Sequence, residues 1–198
     1  MEYLSDYTKD KAKELVEAVG DFLNKNFESK EDFDFDFIFA DDTAARILAF
    51  VFKKALQKRG IFIPTIYLAS SGAFFDGLDM LKNKDEKRKK YFSALLKYFK
   101  IKENSKALVL TDIIKQGVNL SKIKMLLEAG NIDFRIFAVN DRSHQTADYN
   151  LDQLSLANFL YSSTELRGVK RHSGIPPKVS FDLAFAIAAR KFISAEFS

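Results

Sequence analysis

The stretch from Lys106 to Gly130, KALVLTDIIKQGVNLSKIKMLLEAG, constrains this chain more than any other. Ala107-Leu108-Val109-Leu110 is an apolar run of strand length, closed by Thr111 and Asp112. A short loop, IIKQGVN, follows, and then Ile123, Leu126 and Leu127 recur at helical spacing. Asn119 or Ser121 is the expected N-cap of that helix, and Gly130 its expected C′ residue. A strand that turns through a short loop into a helix aims several N–H groups and the positive end of a helix dipole at one spot. Such a spot favours phosphate.

The same alternation begins earlier. Phe33, Phe35 and Phe37 interleave with Asp32, Asp34 and Asp36, which is a strand period, and Ile38 and Phe39 make the end apolar on both faces. Asp41-Asp42 stops this strand, Thr43 is the expected N-cap, and Ala44 to Lys58 reads as a helix apolar around most of its girth. Lys53, Lys54, Lys58 and Arg59 gather at its C-terminal end, with Gly60 to close it. Ile61 to Ala69 is a second strand, in which Pro64 marks an edge position or an irregular start. Phe134 to Val139 is a further strand ending in Asn140-Asp141-Arg142. Residues 33–139 therefore predict an α/β fold, a parallel sheet with helices on both faces. Ligands of such sheets sit beyond the carboxyl ends of the strands. Asp41, Asp42, Ser70, Thr111, Asp112, Asn140 and Asp141 are all expected there.

The flanks read less sharply. Residues 8–27 form an amphipathic helix on Leu15, Val16, Val19, Phe22, Leu23 and Phe27, weakened by Gly20. Residues 70–104 combine a Gly/Ser-flanked loop, a charged run and a short helix on Tyr91, Phe92, Leu95, Leu96 and Phe99. Leu151 to Leu160 suggests another short helix, and STELRGVKRHSGIPPK reads as a basic loop with Arg167, Lys170, Arg171, His172 and Lys178. Ser180 is the expected cap of a last helix, Phe181 to Phe197.

Composition narrows the classes. A chain of 198 residues with 47% apolar residues suits a single domain, 1–198, with a substantial core filled largely by its 20 phenylalanines. Within it the core spans about 33–140, and residues 141–198 supply a hood and the C-terminal helix. Without cysteine there is neither a disulfide nor thiolate chemistry, and with 2 histidines a histidine-rich metal site is not expected. A net charge of +4 fits an anionic ligand but is too small to argue for nucleic acid. No run approaches the ~20 apolar residues that span a bilayer. The N-terminal MEYLSDYTKD has no basic-then-apolar leader pattern, so a cytoplasmic protein without a membrane partner is expected.

The 107–119 segment resembles the signature of type I phosphoribosyltransferases, which bind phosphoribosyl pyrophosphate (PRPP). That signature is four apolar residues, two acids, two apolar residues and a Thr/Gly-rich loop. Asp112, Ile113, Ile114 and Gly117 keep it; Thr111 stands for the first acid, and Lys115, Gln116 and Asn119 stand for loop threonines. The resemblance covers about residues 33–140 and implies a type I phosphoribosyltransferase-like fold with a hood or flap. It implies that Asp112, with Thr111 a weaker partner, holds ribose hydroxyls. The stretch Ile114, Lys115, Gln116, Gly117, Val118 and Asn119 would then wrap a 5′-phosphate. It also implies a pyrophosphate loop at Ala40 to Ala45, bringing in Asp41, Asp42, Thr43 and Ala44, with Arg46 on the first helical turn. Mg²⁺ is the implied cofactor, carried mainly on the substrate, with Asp112 a weak ligand at most. The implied partner is PRPP or a nucleotide monophosphate, and the resemblance leaves room for a homodimer. The implied activity is transfer of phosphoribosyl to a nucleobase, a glycosyltransferase reaction of nucleotide metabolism, and no single residue is marked as catalytic. The lysine or arginine that often follows the second strand of the family is replaced here by Ser70-Ser71.

Three other readings stand against this one. The lost acid and the altered loop suit a non-catalytic module on the same fold that senses a nucleotide or sugar phosphate. LVLTDII also resembles the phospho-acceptor strand of receiver domains, but the 71 positions between Asp41 and Asp112 exceed what that fold allows. Asp41-Asp42-Thr43 does not meet the DxDxT motif of haloacid dehalogenases.

Overall fold

The computed structural model describes residues 4–68, 86, 90, 93–94, 96–114, 118–143, 146–162, 169–172, 178–181 and 183–197. Its first element is helix α1, Asp6–Asn26, which starts two residues before the expected Thr8 because the Ser5 hydroxyl caps it by accepting from the Thr8 amide. Ala12, Leu15, Val19, Phe22 and Leu23 form its buried stripe. Arg59 ties down its C-terminal end, donating to the carbonyls of Leu23 at 3.1 Å and Phe27 at 2.6 Å. Those carbonyls lie at the C-terminal end of the helix, where the Leu23 carbonyl also accepts from the Phe27 amide at 3.0 Å.

Strand β1 is Phe37–Asp41, helix α2 Asp42–Lys58 and strand β2 Thr65–Leu68. Both strands are shorter than expected. Phe33 and Phe35 are buried as the alternation requires, but they pack against Phe27, with ring centroids 5.1 and 6.2 Å away, rather than in the sheet. The ladder cannot reach them, because the neighbouring strand β3, Lys106–Ile114, begins only at Lys106, whose carbonyl accepts from the Asp36 amide. Gly60 ends the α2 segment in the left-handed region, at φ 76°.

Helix α3, Val118–Ala129, strand β4, Asp133–Asp141, and strand β5, Tyr149–Asn150, complete the main sheet. The left-handed residue after α3 is Asn131, at φ 50°, rather than Gly130; asparagine tolerates this region better than most side chains. The sheet is wholly parallel, in the order β2-β1-β3-β4-β5. The fold is α/β, as the alternation predicted.

Each face of the sheet has its own core. Ile38, Ala40, Leu108, Leu110, Phe137 and Val139 pack with α1, α2, helix α4 (Leu154–Ser162) and helix α5 (Leu183–Ala195). At the centre of this layer, Phe22 and Phe52 meet Phe137 edge-on at 4.6 and 4.8 Å. Phe37, Phe39, Ala107, Val109, Ile136 and Ala138 point the other way, toward α3.

The C-terminal quarter departs from expectation. Val169–His172 and Lys178–Phe181 are strands β6 and β7, an antiparallel pair separate from the main sheet, where a basic loop and a helix start were expected. Ser180 pairs with Lys170 and is not a helix cap; α5 starts at Leu183. Among the described residues no helix is long and apolar enough to cross a membrane.

Candidate functional site

The sheet order fixes where a crevice opens. From β1 the chain passes through α2 to β2 on one side, and from β3 it passes through α3 to β4 on the other. The winding therefore reverses between β1 and β3, which is where open α/β sheets bind ligands. The two strands pair from Phe37↔Ala107 to Ala40↔Leu110 and no further. Beyond Leu110, β3 continues against β4 as far as Ile114↔Asp141. Thr111 and Asp112 thus stand where β3 has lost its β1 neighbour.

Both residues lie inside the strand, which runs on through Ile113 and Ile114 where the loop was expected to begin, and both are buried, at 3% and 7% exposure. Core alternation slips by one across this pair. Leu110 and Ile113 both pack on the α2 face, whereas Ile114 joins the α3 face. Asp112 is missing from the paired register that runs through Thr111↔Ala138 and Ile113↔Asn140. The Ile114 carbonyl accepts from the Arg142 amide at 3.0 Å, which fixes the strand at its exit.

The expected phosphate loop divides. Lys115, Gln116 and Gly117 lie outside the described residues, as do Ser70 and Ser71. Val118 and Asn119 form the start of α3, so Asn119 and Ser121 sit within the helix and neither is its cap. The expected pyrophosphate loop is also shorter than predicted. Ala40 and Asp41 still belong to β1, Asp41 pairs with Leu68, and Asp42, Thr43, Ala44 and Ala45 belong to α2. Strand passes to helix without a loop, so the first-turn amides of α2 lie at the carboxyl edge of β1. The first amides of any helix lack intrahelical acceptors. Two helix N-termini, those of α2 and α3, therefore flank the β1–β3 split. Arg46 is exposed on the first turns of α2.

Asn140 and Asp141 stand at a strand end as expected, but their side chains build the neighbouring loop. Asp141 is 1% exposed. One carboxylate oxygen accepts from the Ser143 amide and hydroxyl at 2.9 and 2.6 Å, the other from the Thr146 and Ala147 amides at 2.9 Å each. Burial pushes this carboxyl up, but the hydrogen bonds from Ser143, Ala147 and Thr146 outweigh it and hold the group below its ordinary value. The Asn140 amide donates to Asp152 at 3.2 Å. Parallel strands ordinarily need a crossover of a dozen residues or more. Here β4 ends at Asp141 and β5 starts at Tyr149, and the described residues between them are held by these bonds and by Asp148, which accepts from the Ile136 amide and from Arg135.

Asp141 is thus committed to Ser143, Thr146 and Ala147, and Asp112 stands beside the split. Mg²⁺ takes about six oxygens and keeps several waters. Among the described residues, no three acid or histidine side chains gather into such a site.

A second group of side chains had no signal in the sequence. Tyr67 of β2 is the register partner of Ala40 and so faces α2. Arg190 of α5 places its guanidinium 5.9 Å from the ring centroid of Phe50 on α2. Positions 46, 50 and 54 are spaced one helical turn apart, but nothing in that spacing marks them as a group. That Arg190 meets this stripe was not legible either. His172 falls within β6, in register with Lys178 of β7. No family model matches this chain, and no curated protein is found similar to it.

Proposed function

We propose that this chain is a type I phosphoribosyltransferase-like protein that binds PRPP or a nucleotide 5′-phosphate, with Mg²⁺, at the β1–β3 split. The observation that carries the reading is the loss of β1–β3 pairing after Ala40↔Leu110, at the point where winding reverses, with Thr111 and Asp112 next in line on β3. The residues that resemble the PRPP signature are those that follow this break.

In this reading the start of α3 and the residues before it hold the 5′-phosphate by backbone N–H groups. Asp112 accepts from a ribose hydroxyl, and the first turn of α2 with Arg46 faces the diphosphate. Bound Mg²⁺ would supply charge neutralisation on the departing diphosphate. The protein's own contribution is positioning of the ribose and exclusion of water around it. The β6–β7 pair, outside the main sheet, corresponds to the hood, and a cytoplasmic setting belongs to the same reading.

One observation favours a non-catalytic module instead. Thr111, which replaces the first acid, is 3% exposed, so the position is closed rather than filled by another ligand group. The test is release of pyrophosphate on mixing the protein with PRPP, Mg²⁺ and a panel of nucleobases. Turnover establishes the enzyme. Binding of PRPP without pyrophosphate release establishes the module, and absence of both contradicts the assignment.

A further inference from the structure

Strand β2 is an edge: among the described residues it pairs with β1 and with no other strand. The Ile38 amide donates to the Pro64 carbonyl at 2.9 Å, and Ile38 is the register partner of Thr65. In a parallel ladder that phase turns the N–H and C=O of Ile66 toward β1 and those of Thr65 and Tyr67 outward. Edges of this kind are ordinarily blunted by charge or proline. Pro64 stands only at the entry, and Ile61 to Leu68, IFIPTIYL, carries no charge. Phe62 is 76% exposed and Tyr67 45%.

Beside this edge lies a cleft of about 300 Å³, lined by Lys53, Leu56 and Gln57 of α2 and by Ile61, Phe62 and Ile63. That volume is at the low end of small-molecule sites and suits one large apolar side chain. Ile61 and Ile63 pack with the α2-face core, so the cleft opens on that face. The chain approaches β3 on the other face, where Leu96, Phe99 and Ile101 pack with the α3 core. Between Asp42 and Asp76 the sequence holds Arg46, Lys53, Lys54, Lys58 and Arg59 and no acid. A second copy of the chain meeting this edge would set like charges together, whereas an acidic strand complements them.

We propose that the β2 edge docks an extended acidic peptide, which lengthens the sheet by one strand and seats one apolar side chain in the cleft. Main-chain bonds to Thr65 and Tyr67 give the affinity, and alternate side chains of the added strand reach the α2 face. There an apolar residue meets Leu56, Ile61, Phe62 and Ile63, and an acid next along the same face meets Lys53. The β1–β3 split lies on the far side of β1, so the site does not depend on the PRPP reading.

The test is fluorescence anisotropy with the full chain at about 0.15 M salt, where exposed charges are screened beyond roughly 8 Å. The probe is a labelled, end-blocked peptide with threonine on one strand face and glutamate, leucine and glutamate on the other. It should bind saturably, and its lysine-for-glutamate counterpart should bind at least about tenfold more weakly. N-methylation of alternate peptide amides should abolish binding in one phase and spare it in the other, because only one set of N–H groups faces β2. Thr65→Pro removes an outward N–H and leaves the β1 ladder intact, and the Thr65 hydroxyl has no partner to lose. It should weaken binding about tenfold or more, whereas Thr65→Val should bind as the wild type does. Phe62→Ala and Lys53→Glu should each weaken binding severalfold. Lys102→Glu makes the same charge change at an exposed position beside Ile101 and should not. No saturable binding, equal binding of the lysine peptide, equal effects of the two N-methylation phases, or unchanged affinity in Phe62→Ala would overturn the proposal. A dimer in sedimentation that Thr65→Pro dissociates would give the edge to a second copy and overturn it too. Circular dichroism is read on each variant; if Thr65→Pro loses the fold, the N-methylation contrast on the wild type decides.

Discussion

Ala40 and Leu110 are the last partners on the β1–β3 ladder, and past them β3 runs on to Ile114 against β4 alone. The sheet therefore opens at its centre, not at an edge. The opening coincides with the reversal of winding, with the N-termini of α2 and α3, and with the buried carboxylate of Asp112.

Asp141 should be a stability residue. Replacing it by Asn leaves one acceptor oxygen where four donors now converge, with an NH₂ group facing amides. Leaving buried donors unsatisfied costs about 2–3 kcal/mol, to be read as a lower urea midpoint. The pH dependence follows from the depressed carboxyl. As pH falls, the unfolded chain takes up the proton first, at the ordinary value of 3.8. The stabilisation is complete above that value and vanishes as pH drops through the lower folded value. Asp141→Asn should therefore flatten the acid limb of the stability curve. An unchanged limb would show that these bonds do not hold the folded carboxyl down.

Two glycines should respond to alanine with opposite signs. Gly20 lies inside α1, and a Cβ there would meet nothing within 4 Å. Gly20→Ala should add about 0.5–1 kcal/mol through helix propensity and lost unfolded-state freedom. Gly60 also has open space around it, but its φ is 76°. Gly60→Ala should cost about 1–2 kcal/mol from backbone strain alone. Thermal melts of the two variants should move in opposite directions.

Arg59→Ala should loosen α1 from α2. The guanidinium donates to the Leu23 and Phe27 carbonyls at the end of α1, and deletion removes both bonds, leaving Leu23 with the Phe27 amide alone. A loss of about 1–3 kcal/mol is expected. Hydrogen exchange should quicken in the last turn of α1 and not in β3; uniform acceleration would point to general destabilisation instead.

The layered fold was legible because its signals are local. The apolar run of β3, the helical stripe of α3 and the C-terminal end of α2 at Lys58 all lie where the sequence puts them. Misses occur where a distant partner decides. Phe33 and Phe35 alternate like a strand, but no neighbouring strand reaches them, so aromatic packing on Phe27 gives the same burial without a ladder. Ser180 has the chemistry of a cap, yet pairing with Lys170 claims it for β7. Asn140 and Asp141 read as site residues by position, and Asp141 became a loop staple because three amides within six residues reach it. Arg190 meeting the α2 stripe has no local signature at all.

The central claim is that the β1–β3 split binds a ribose 5′-phosphate through Asp112. Calorimetric titration of PRPP with Mg²⁺ into the wild type and into Asp112→Ala tests it most directly. The account predicts saturable binding to the wild type. It also predicts a loss of at least about tenfold in the variant, in keeping with a charge-assisted hydrogen bond of about 1.5–3 kcal/mol, while circular dichroism stays unchanged. Equal PRPP affinity in the two proteins, or none in either, would contradict it.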